Sequence, residues 1–219
     1  MRIGAIADIH GNWPALEAVL ADMPSVDCLI CAGDIVGYNP WPADCVDYCR
    51  NREIVSVQGN HDRAVVTGRT RGLNAMATAG VEYACDHLTD DQCRWLADLP
   101  DMRAIADGQI RIAHGHPADP DRYVQPHQIT AEILGDESWL VLGHTHQQFV
   151  RFVDDGTVLN PGSVGQPRDG DPRAGYAVID LTRDTVDTHR VDYDINAVRE
   201  KVSAVGLPST VGDRLVRGR

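Results

Sequence analysis

The stretch Ile3-Gly4-Ala5-Ile6-Ala7-Asp8-Ile9-His10 decides how this chain folds, because an apolar run passes directly into side chains that bind metals. Four further apolar runs end in the same way, so the pattern is repeated along the chain. Short apolar runs of this kind predict buried strands. The other runs and the motifs that follow them are Cys28–Ala32 with Gly33-Asp34, Ile54–Val57 with Gly59-Asn60-His61-Asp62, Ile110–Ala113 with His114-Gly115-His116, and Trp139–Leu142 with Gly143-His144-Thr145-His146.

Strands and helices alternate at the start of the chain. Residues 2–62 run strand, helix, strand, helix, strand, and the second helix is predicted at about Ala43–Arg50. This order predicts a parallel sheet with right-handed crossovers. Sites in open α/β sheets lie beyond the carboxyl ends of the strands. We therefore expect the polar motifs, although far apart in sequence, to meet in one crevice.

Residues 64–100 break this alternation and are predicted to form a helical insert. Leu73–His87 and Asp90–Leu99 have helical character, and Thr89 is a suitable N-cap for the second of these helices. The insert leaves and returns between two site strands, so we expect it to cover the crevice like a cap. Residues 1–219 as a whole are expected to form a single domain.

The second half of the chain is predicted to add antiparallel strands, in a second sheet against the first. Asp154-Asp155-Gly156 is a hairpin signal between two of these strands. The tail from Ile195 to about Arg217 is predicted to be helical in two pieces around Pro208. The predicted strands are Phe149–Val153, Thr157–Asn160, Gly175–Leu181 and Thr185–Val191.

The side chains at the strand ends are of types that bind divalent metals. They are carboxylates, imidazoles and one amide, without a thiolate, and this set suits metals of borderline character. Each motif alone is weak, since Asp8 and His10 could form a turn and His144 with His146 could be a surface pair. Together they favour two metals about 3.5–4 Å apart, an arrangement that hydrolyses phosphate esters. The candidate ligands are Asp8, His10, Asp34, Asn60, His114, His144 and His146.

Composition narrows the class of protein. The formal net charge is −12 at pH 7, which argues against general nucleic-acid binding. It does not exclude anionic substrates, because two bound cations would invert the local field. No apolar run approaches the roughly 20 residues that span a bilayer, and no secretory signal precedes the first strand. We expect a cytoplasmic protein without membrane attachment, whose six cysteines are free and packed.

The order of the motifs resembles that of the calcineurin-like metallophosphoesterase family, and in particular its small bacterial and archaeal phosphoesterase branch. The matching elements are D-x-H, then G-D-x-x-G at Gly33, Asp34 and Gly37, then G-N-H-D, a single His, and G-H-T-H. The resemblance covers the whole chain and is specific for the family, although not for a substrate. It implies a four-layer α/β/β/α sandwich of two mixed sheets and two divalent metal ions, which could be Mn, Fe, Ni or Zn.

The resemblance also implies residue roles. Asp34 would bridge two metals, and a metal-bridging hydroxide would attack phosphorus. His61 would stabilise the phosphoryl oxygens or protonate the leaving group, and Asp62 would orient His61. The implied ligands are Asp8, His10, Asp34 and His146 for the first metal, and Asp34, Asn60, His114 and His144 for the second.

Contacts with the substrate are less well defined by the sequence. Arg63, Ser163 and Arg168 could reach a phosphate, since arginine binds phosphate through two hydrogen bonds. The alternative is that Asn160–Gln166 is only a Gly/Pro turn and that the arginines are solvated. His116 could touch the substrate, but a turn residue is the better interpretation.

Three functions are compatible with this pattern. The first is a two-metal phosphoesterase that hydrolyses phosphodiesters or phosphomonoesters of small molecules or nucleotides. The second is a protein phosphatase or a dinucleotide polyphosphate hydrolase, and the third is a non-catalytic binding scaffold. The complete ligand set and His61 argue against a scaffold, which has no need of an acid. The sequence leaves a homo-oligomer open.

Overall fold

The computed structural model describes residues 1–154 and 156–219, in which ten strands form two five-stranded sheets, accompanied by seven α-helices. In chain order the strands are β1 (Arg2–Ile6), β2 (Cys28–Cys31), β3 (Val55–Ser56), β4 (Met102–Ile105), β5 (Ile110–Ala113), β6 (Trp139–Val141), β7 (Gln148–Val153), β8 (Gly156–Pro161), β9 (Ala174–Asp180) and β10 (Thr185–Val191). The helices are α1 (Trp13–Asp22), α2 (Pro42–Asn51), α3 (Asn60–Thr67), α4 (Ala75–His87), α5 (Asp90–Ala97), α6 (Ile195–Ala204) and α7 (Ser209–Asp213).

The first sheet has the order β10-β9-β1-β2-β3. Its β1, β2 and β3 are parallel, as predicted from the alternation of strands and helices. β9 and β10 are antiparallel strands that extend this sheet beside β1. We predicted them in a second sheet, and that prediction was wrong. Ala174 to Ile179 are all buried, so β9 must be covered on both faces, and a central place beside β1 provides this cover.

The second sheet has the order β4-β5-β6-β8-β7. Its central strands β5, β6 and β8 are parallel, whereas β4 and β7 run antiparallel to their neighbours at the two edges. The β7–β8 pair agrees with the predicted hairpin, although Asp155 of its predicted turn lies outside the described residues. β4 was not anticipated, because most of its residues are exposed and its sequence has no apolar run.

Alternating side chains along the strands assign the two faces of each sheet. Ile3 and Ala5 of β1 pack between the sheets together with Trp139 and Val141 of β6. Ile6 points the other way, into the core beneath α1 and α2. Each large side chain that is fully buried in this way contributes about 1.5–3 kcal/mol. The two mixed sheets with their helices confirm the predicted α/β fold.

Local signals explain where the helices begin. Asn12, Asn74 and Asp194 each accept a hydrogen bond at a helix N-terminus from the backbone N–H three residues on. We predicted that this helix begins at Leu73, but the cap at Asn74 makes α4 begin at Ala75. Thr89 caps α5 as predicted, within a capping box that includes Gln92.

The tail forms α6 and α7 on either side of Pro208, as predicted. Among the described residues no helix combines the length and the apolar character needed to cross a bilayer. The outer face of the second sheet is covered by the connection between β5 and β6, which contains two short 3-10 turns.

Candidate metal centre

The polar motifs meet where the carboxyl ends of the two sheets come together. A Cβ atom on Gly143, after β6, would lie 2.8 Å from the carbonyl oxygen of Ala32, after β2. The close approach of these loops brings ligand atoms from both sheets into two groups. Within each group the ligand atoms lie within 4.8 Å of one another, and Asp34 belongs to both groups. The first group is Asp8, His10, Asp34 and His146, and the second is Asp34, His114 and His144. The remaining candidate, Asn60, places its Oδ1 atom 3.1 Å from His114 Nε2.

Three of the histidines are oriented by backbone carbonyls. His10, His114 and His146 place Nδ1 at 3.1, 2.7 and 2.6 Å from the carbonyl oxygens of Val36, Ala32 and Gln166, respectively. A hydrogen bond from Nδ1–H to a carbonyl fixes the tautomer and leaves Nε2 as the metal-binding nitrogen. The Nε2 atoms of His10 and His146 are 3.1 Å apart, so these two rings then present lone pairs to each other. A cation between them would remove this repulsion.

The second group carries a proton in the absence of a cation. Nε2 of His114 lies 3.3 Å from Oδ2 of Asp34. Burial opposes the charge on this ring, but Asp34 outweighs it and raises the pKa of His114 to about 9. A divalent ion bound to Asp34 would replace that proton.

The other carboxylate, Asp8, is also held for a cation. Burial raises the pKa of Asp8 to about 7, so its charge lacks sufficient compensation from the protein alone. Both of its oxygens accept the backbone N–H of His144 at 3.1 Å. Nε2 of His144 lies 3.1 Å from the carbonyl oxygen of Asp121, which leaves Nδ1 of this ring for a metal. The donor set of the whole site therefore fits divalent cations.

The backbone around the candidate ligands is strained. Left-handed conformations of non-glycine residues are uncommon and cost about 1–3 kcal/mol each at functional sites. Two such residues at the ends of β1 and β2 have backbones that hydrogen bond to each other, from His10 N to Asp34 O at 2.9 Å. Positive φ angles occur at Asp8 (53°), His10 (49°), Asp34 (54°), His144 (67°) and His146 (58°).

The resemblance implied that Asp62 orients His61. In the structure Asp62 instead holds these loops together. Its Oδ1 accepts the N–H groups of Ile35 (2.9 Å) and Val36 (3.1 Å), and its Oδ2 accepts that of Gly59 (2.9 Å). No hydrogen bond among the described residues joins the Asp62 carboxylate to the His61 ring. The reason is geometric, since Asp62 is the third residue of α3 and reaches back to its N-cap.

Gly59 shows why a small residue must precede Asn60. A Cβ atom there would lie 2.1 Å from Oδ1 of Asp34, so any side chain would displace the carboxylate shared by both ligand groups. The same Oδ1 accepts the backbone N–H of His61 at 2.8 Å. The N-terminus of α3 thus places Asn60 and His61 directly beside the shared carboxylate.

His61 lies in the crevice and is not needed in either ligand group. Its ring centre is 4.7 Å from that of His10 and 4.8 Å from that of Tyr38. Its Nδ1 is buried without a hydrogen-bond partner among the described residues. Burial lowers the pKa of His61 to about 4. The ring therefore stays neutral, and because Nδ1 faces Gly37, where a Cβ atom would lie 2.5 Å away, Nε2 is the nitrogen left for a substrate.

Of the three predicted substrate contacts, only Arg168 lines the metal crevice. Its guanidinium donates to the Tyr38 hydroxyl at 3.3 Å and to Gln166 Oε1 at 2.8 Å. Arg63 lines an adjoining cavity, where it pairs with the carboxylate of Asp121.

The prediction for Ser163 was wrong. Its hydroxyl donates to the Asp8 carbonyl at 2.8 Å and accepts the Gln166 N–H at 2.8 Å, and the residue is fully buried. Ser163 therefore supports the loop that carries Asp8. His116 is a turn residue, as expected, because its ring accepts the N–H of Ala118 at 3.0 Å.

Asp121 and Tyr123 belong to the site although they were not predicted. The Tyr123 ring stacks on His144, with 3.9 Å between ring centres and 13° between planes. The Asp121 carbonyl holds the other side of that ring in place at Nε2. Both residues lie in an irregular connection, where neither apolar periodicity nor a known motif could have indicated them.

The predicted insert contributes to the crevice only through its first part. Gly72, Leu73, Asn74 and Ala77, at the start of α4, line the crevice. By contrast, α5 packs against α2 and α3, away from the ligands. Only the beginning of the insert therefore lies at the crevice, where we expected the whole insert to lie.

Comparison with known proteins places this arrangement in a family. Residues 1–184 match the model of the calcineurin-like phosphoesterase superfamily domain. The crystal structure of a metallophosphoesterase from Sphaerobacter thermophilus is similar over 100% of this chain and 99% of its own, with a TM-score of 0.87 and 35% identity. An uncharacterized protein of Methanocaldococcus jannaschii is 31% identical over 99% of this chain and 98% of its own. Phosphodiesterase YfcE of Escherichia coli strain K12 is 27% identical over 82% of this chain and 88% of its own.

Proposed function

Because this chain belongs to the calcineurin-like phosphoesterase superfamily, we propose that it binds two divalent cations and hydrolyses a phosphodiester or phosphomonoester of a small molecule. It is a metal-dependent phosphoric ester hydrolase. The further step, to two metals and to named residue roles, is supported above all by the His10–His146 pair. Two neutral imidazoles that face each other through lone pairs at 3.1 Å are understandable as ligands of one cation.

The donor set supports Mn, Fe, Ni or Zn ions rather than Mg or Ca. Imidazole nitrogens equal the carboxylates in the first ligand group and outnumber them in the second, and nitrogen donors favour borderline metals. When bound, two such cations would supply an activated water and would neutralise charge on the phosphoryl oxygens. Asp34 is the residue that would hold the two ions together, because it belongs to both groups.

His61 and Arg168 would act on the substrate itself. Both line the crevice, and neither belongs to a ligand group. Arg168 would bind a phosphoryl oxygen through its guanidinium, and Tyr38 beneath it would limit its movement, since the guanidinium carbon lies 5.8 Å from the Tyr38 ring centre.

His61 is better suited to donate a hydrogen bond than to transfer a proton. Burial already lowers its pKa to about 4, so an imidazolium beside two cations would be costly. A neutral imidazole can still donate from one nitrogen to an oxygen that gains charge in the transition state. We therefore assign His61 to stabilisation of the phosphoryl oxygens.

The experiment is a metal titration combined with a panel of esters. The purified protein is stripped with a chelator and then loaded with Mn²⁺, Mg²⁺, Ni²⁺ or Zn²⁺, and bound metal is counted by mass spectrometry. Hydrolysis of bis(4-nitrophenyl) phosphate and of 4-nitrophenyl phosphate is measured at each loading. We expect two metals per chain and activity that rises with the second. One metal per chain at full activity would refute the two-metal proposal.

A further inference from the structure

A second cavity opens beside the metal crevice, on the side of Asn60 and His144. Its volume is about 440 Å³. Five residues line both the crevice and this cavity, so the two spaces are continuous. The shared residues are Asn60, Gly72, Leu73, Tyr123 and His144. A group attached to a phosphate in the crevice could therefore extend into the cavity.

The cavity wall is positively charged, in contrast to the chain as a whole. Arg63, Arg69 and Arg71 line it, whereas the net charge of the protein is −12. Its one acidic lining residue, Asp121, pairs with Arg63. Neither Arg69 nor Arg71 takes part in an ion pair among the described residues, so two arginines of the cavity are left for a ligand.

Tyr123 gives the same cavity an aromatic surface. The residue is 48% exposed, even though its ring stacks on His144 at 3.9 Å. An exposed ring that is fixed in orientation is a good platform for another planar ring. Arginines bind phosphate, and an aromatic side chain stacks on a base.

We propose that this cavity binds the second half of the substrate and that this half is a nucleotide, with a further phosphate on Arg69 and Arg71 and its base on Tyr123. This inference rests on the proposed function, because it requires the reacting phosphate to lie in the adjoining crevice. The other arginine-rich cavity, about 500 Å³ and lined by Arg199, Arg214, Arg217 and Arg219, shares no lining residue with the crevice. It therefore does not serve a group that is joined to the reacting phosphate.

The test compares competition by inorganic phosphate, AMP and ADP against hydrolysis of bis(4-nitrophenyl) phosphate, with free Mn²⁺ held in excess. We expect ADP to inhibit at least 10-fold more strongly than inorganic phosphate. The variants are Arg69→Gln, Arg71→Gln, their double variant and Tyr123→Leu. The matched controls are Arg183→Gln, which alters an arginine that is 81% exposed in the turn after β9, and Arg217→Gln in the other cavity.

The double variant should weaken inhibition by ADP about 10- to 100-fold, as expected for the loss of charge-assisted hydrogen bonds. Inhibition by inorganic phosphate and the kcat/KM for the nitrophenyl diester should change less than about threefold. Tyr123→Leu should weaken inhibition by AMP and ADP, with metal content unchanged. Inorganic pyrophosphate, added as a competitor without a base, should inhibit this variant as it inhibits the wild type. Tyr123→Phe keeps the ring and should be inhibited by AMP and ADP like the wild type.

Two results would overturn the inference. One is a double variant that responds to ADP as Arg183→Gln does, and the other is a greater loss in Arg217→Gln, which would assign the anion to the other cavity. Calorimetry with ADP separates this test from the proposed function. If no ester is hydrolysed but the arginine variants still lose ADP binding, the cavity is a nucleotide site and only the reaction was wrongly assigned.

Discussion

The Nε2 atoms of His10 and His146 lie 3.1 Å apart, although the Nδ1 atoms of both rings lie within hydrogen-bonding distance of backbone carbonyl oxygens. In a metal-free protein this contact is repulsive, so a bound cation should stabilise the fold. We expect saturating Mn²⁺ to raise the Tm by roughly 5–10 °C over the chelated protein, as about 2.7 kcal/mol at 100 times Kd implies for this size. Scanning calorimetry at several metal concentrations measures the shift.

His146→Ala should reduce that shift, whereas His127→Ala, at an exposed turn, should not. An equal shift in both variants would mean that the metal binds elsewhere.

Asp34→Asn should remove both metals and most activity, because the carboxylate belongs to both ligand groups. Loss of partners that only orient metal ligands costs about 10–100-fold in affinity, and loss of this shared ligand should exceed that. Metal content and kcat are measured together, and His144→Ala should also lose metal and rate. Asp107→Asn is a matched control, because Asp107 has the same φ of 54° but is exposed in a turn. Full metal occupancy with unchanged activity in Asp34→Asn would contradict the assignment.

His61→Ala should slow turnover by roughly 10²–10⁴-fold with both metals retained. If His61 donates a hydrogen bond to a phosphoryl oxygen, the loss should be similar for esters of good and poor leaving groups. A loss that shrinks for nitrophenyl esters would instead identify His61 as the acid that protonates the leaving group. His116→Ala, in the turn beyond β5, serves as control and should retain activity. A collapse of metal content in His61→Ala would make His61 a ligand.

Asp62→Asn should destabilise the protein without a direct effect on the substrate. The carboxylate accepts three backbone N–H groups, and an amide nitrogen at one of its oxygen positions would face a donor. We expect the free energy of unfolding to fall by roughly 1.5–3 kcal/mol. Urea denaturation of the chelated protein measures this, and Asp91→Asn, at an exposed helix terminus, is the control. No change in stability would show that these hydrogen bonds do not hold the loops.

The metal-free protein should lose stability as the pH falls from about 6.5 to 4. Burial lowers the pKa of four histidines below the range of the unfolded chain, so unfolding takes up protons at them in this window. Burial raises the pKa of Asp8 and Asp62 to about 7, and these two groups act in the opposite direction. His114, whose pKa Asp34 raises to about 9, also acts in that direction, but only near pH 6.5, because below it the unfolded chain is protonated there as well. The unfolded state then binds about two more protons near pH 5, which corresponds to roughly 2–3 kcal/mol per pH unit. The four histidines are His10, His61, His144 and His146.

Denaturation in chelator at pH 5 and pH 6 checks this slope. Stability that rises as the pH falls over this interval would contradict it, and would mean that the buried carboxylates dominate.

Much of the fold could be predicted, because the signals are local. The apolar runs at β1, β2, β5 and β6 and the N-cap at Thr89 act over a few residues, and the structure has them where they were expected. The seven candidate ligands also follow from sequence, since strand ends in such a fold meet at one edge and the motifs lie directly after them. The structure brings all seven together.

The partners of these side chains were decided only by the tertiary structure. The sequence predicted β9 in the second sheet, but burial on both of its faces required a place beside β1. It suggested Ser163 as a substrate contact, but the hydroxyl is used by the Asp8 loop. The family resemblance paired Asp62 with His61, whereas the start of α3 directs the carboxylate to backbone amides.

The types of metal ligand therefore followed from residue type and order in the sequence. The contacts that each side chain makes followed from the packing of the two sheets. An apolar run fixes a strand, and a motif fixes its ligand atoms, through interactions within a few residues. Which carbonyl orients each imidazole, and which arginines remain for a second phosphate, depends on groups brought together from distant segments, as when Tyr123 stacks on His144. No local pattern encodes such a pair, because its geometry exists only once both sheets have packed.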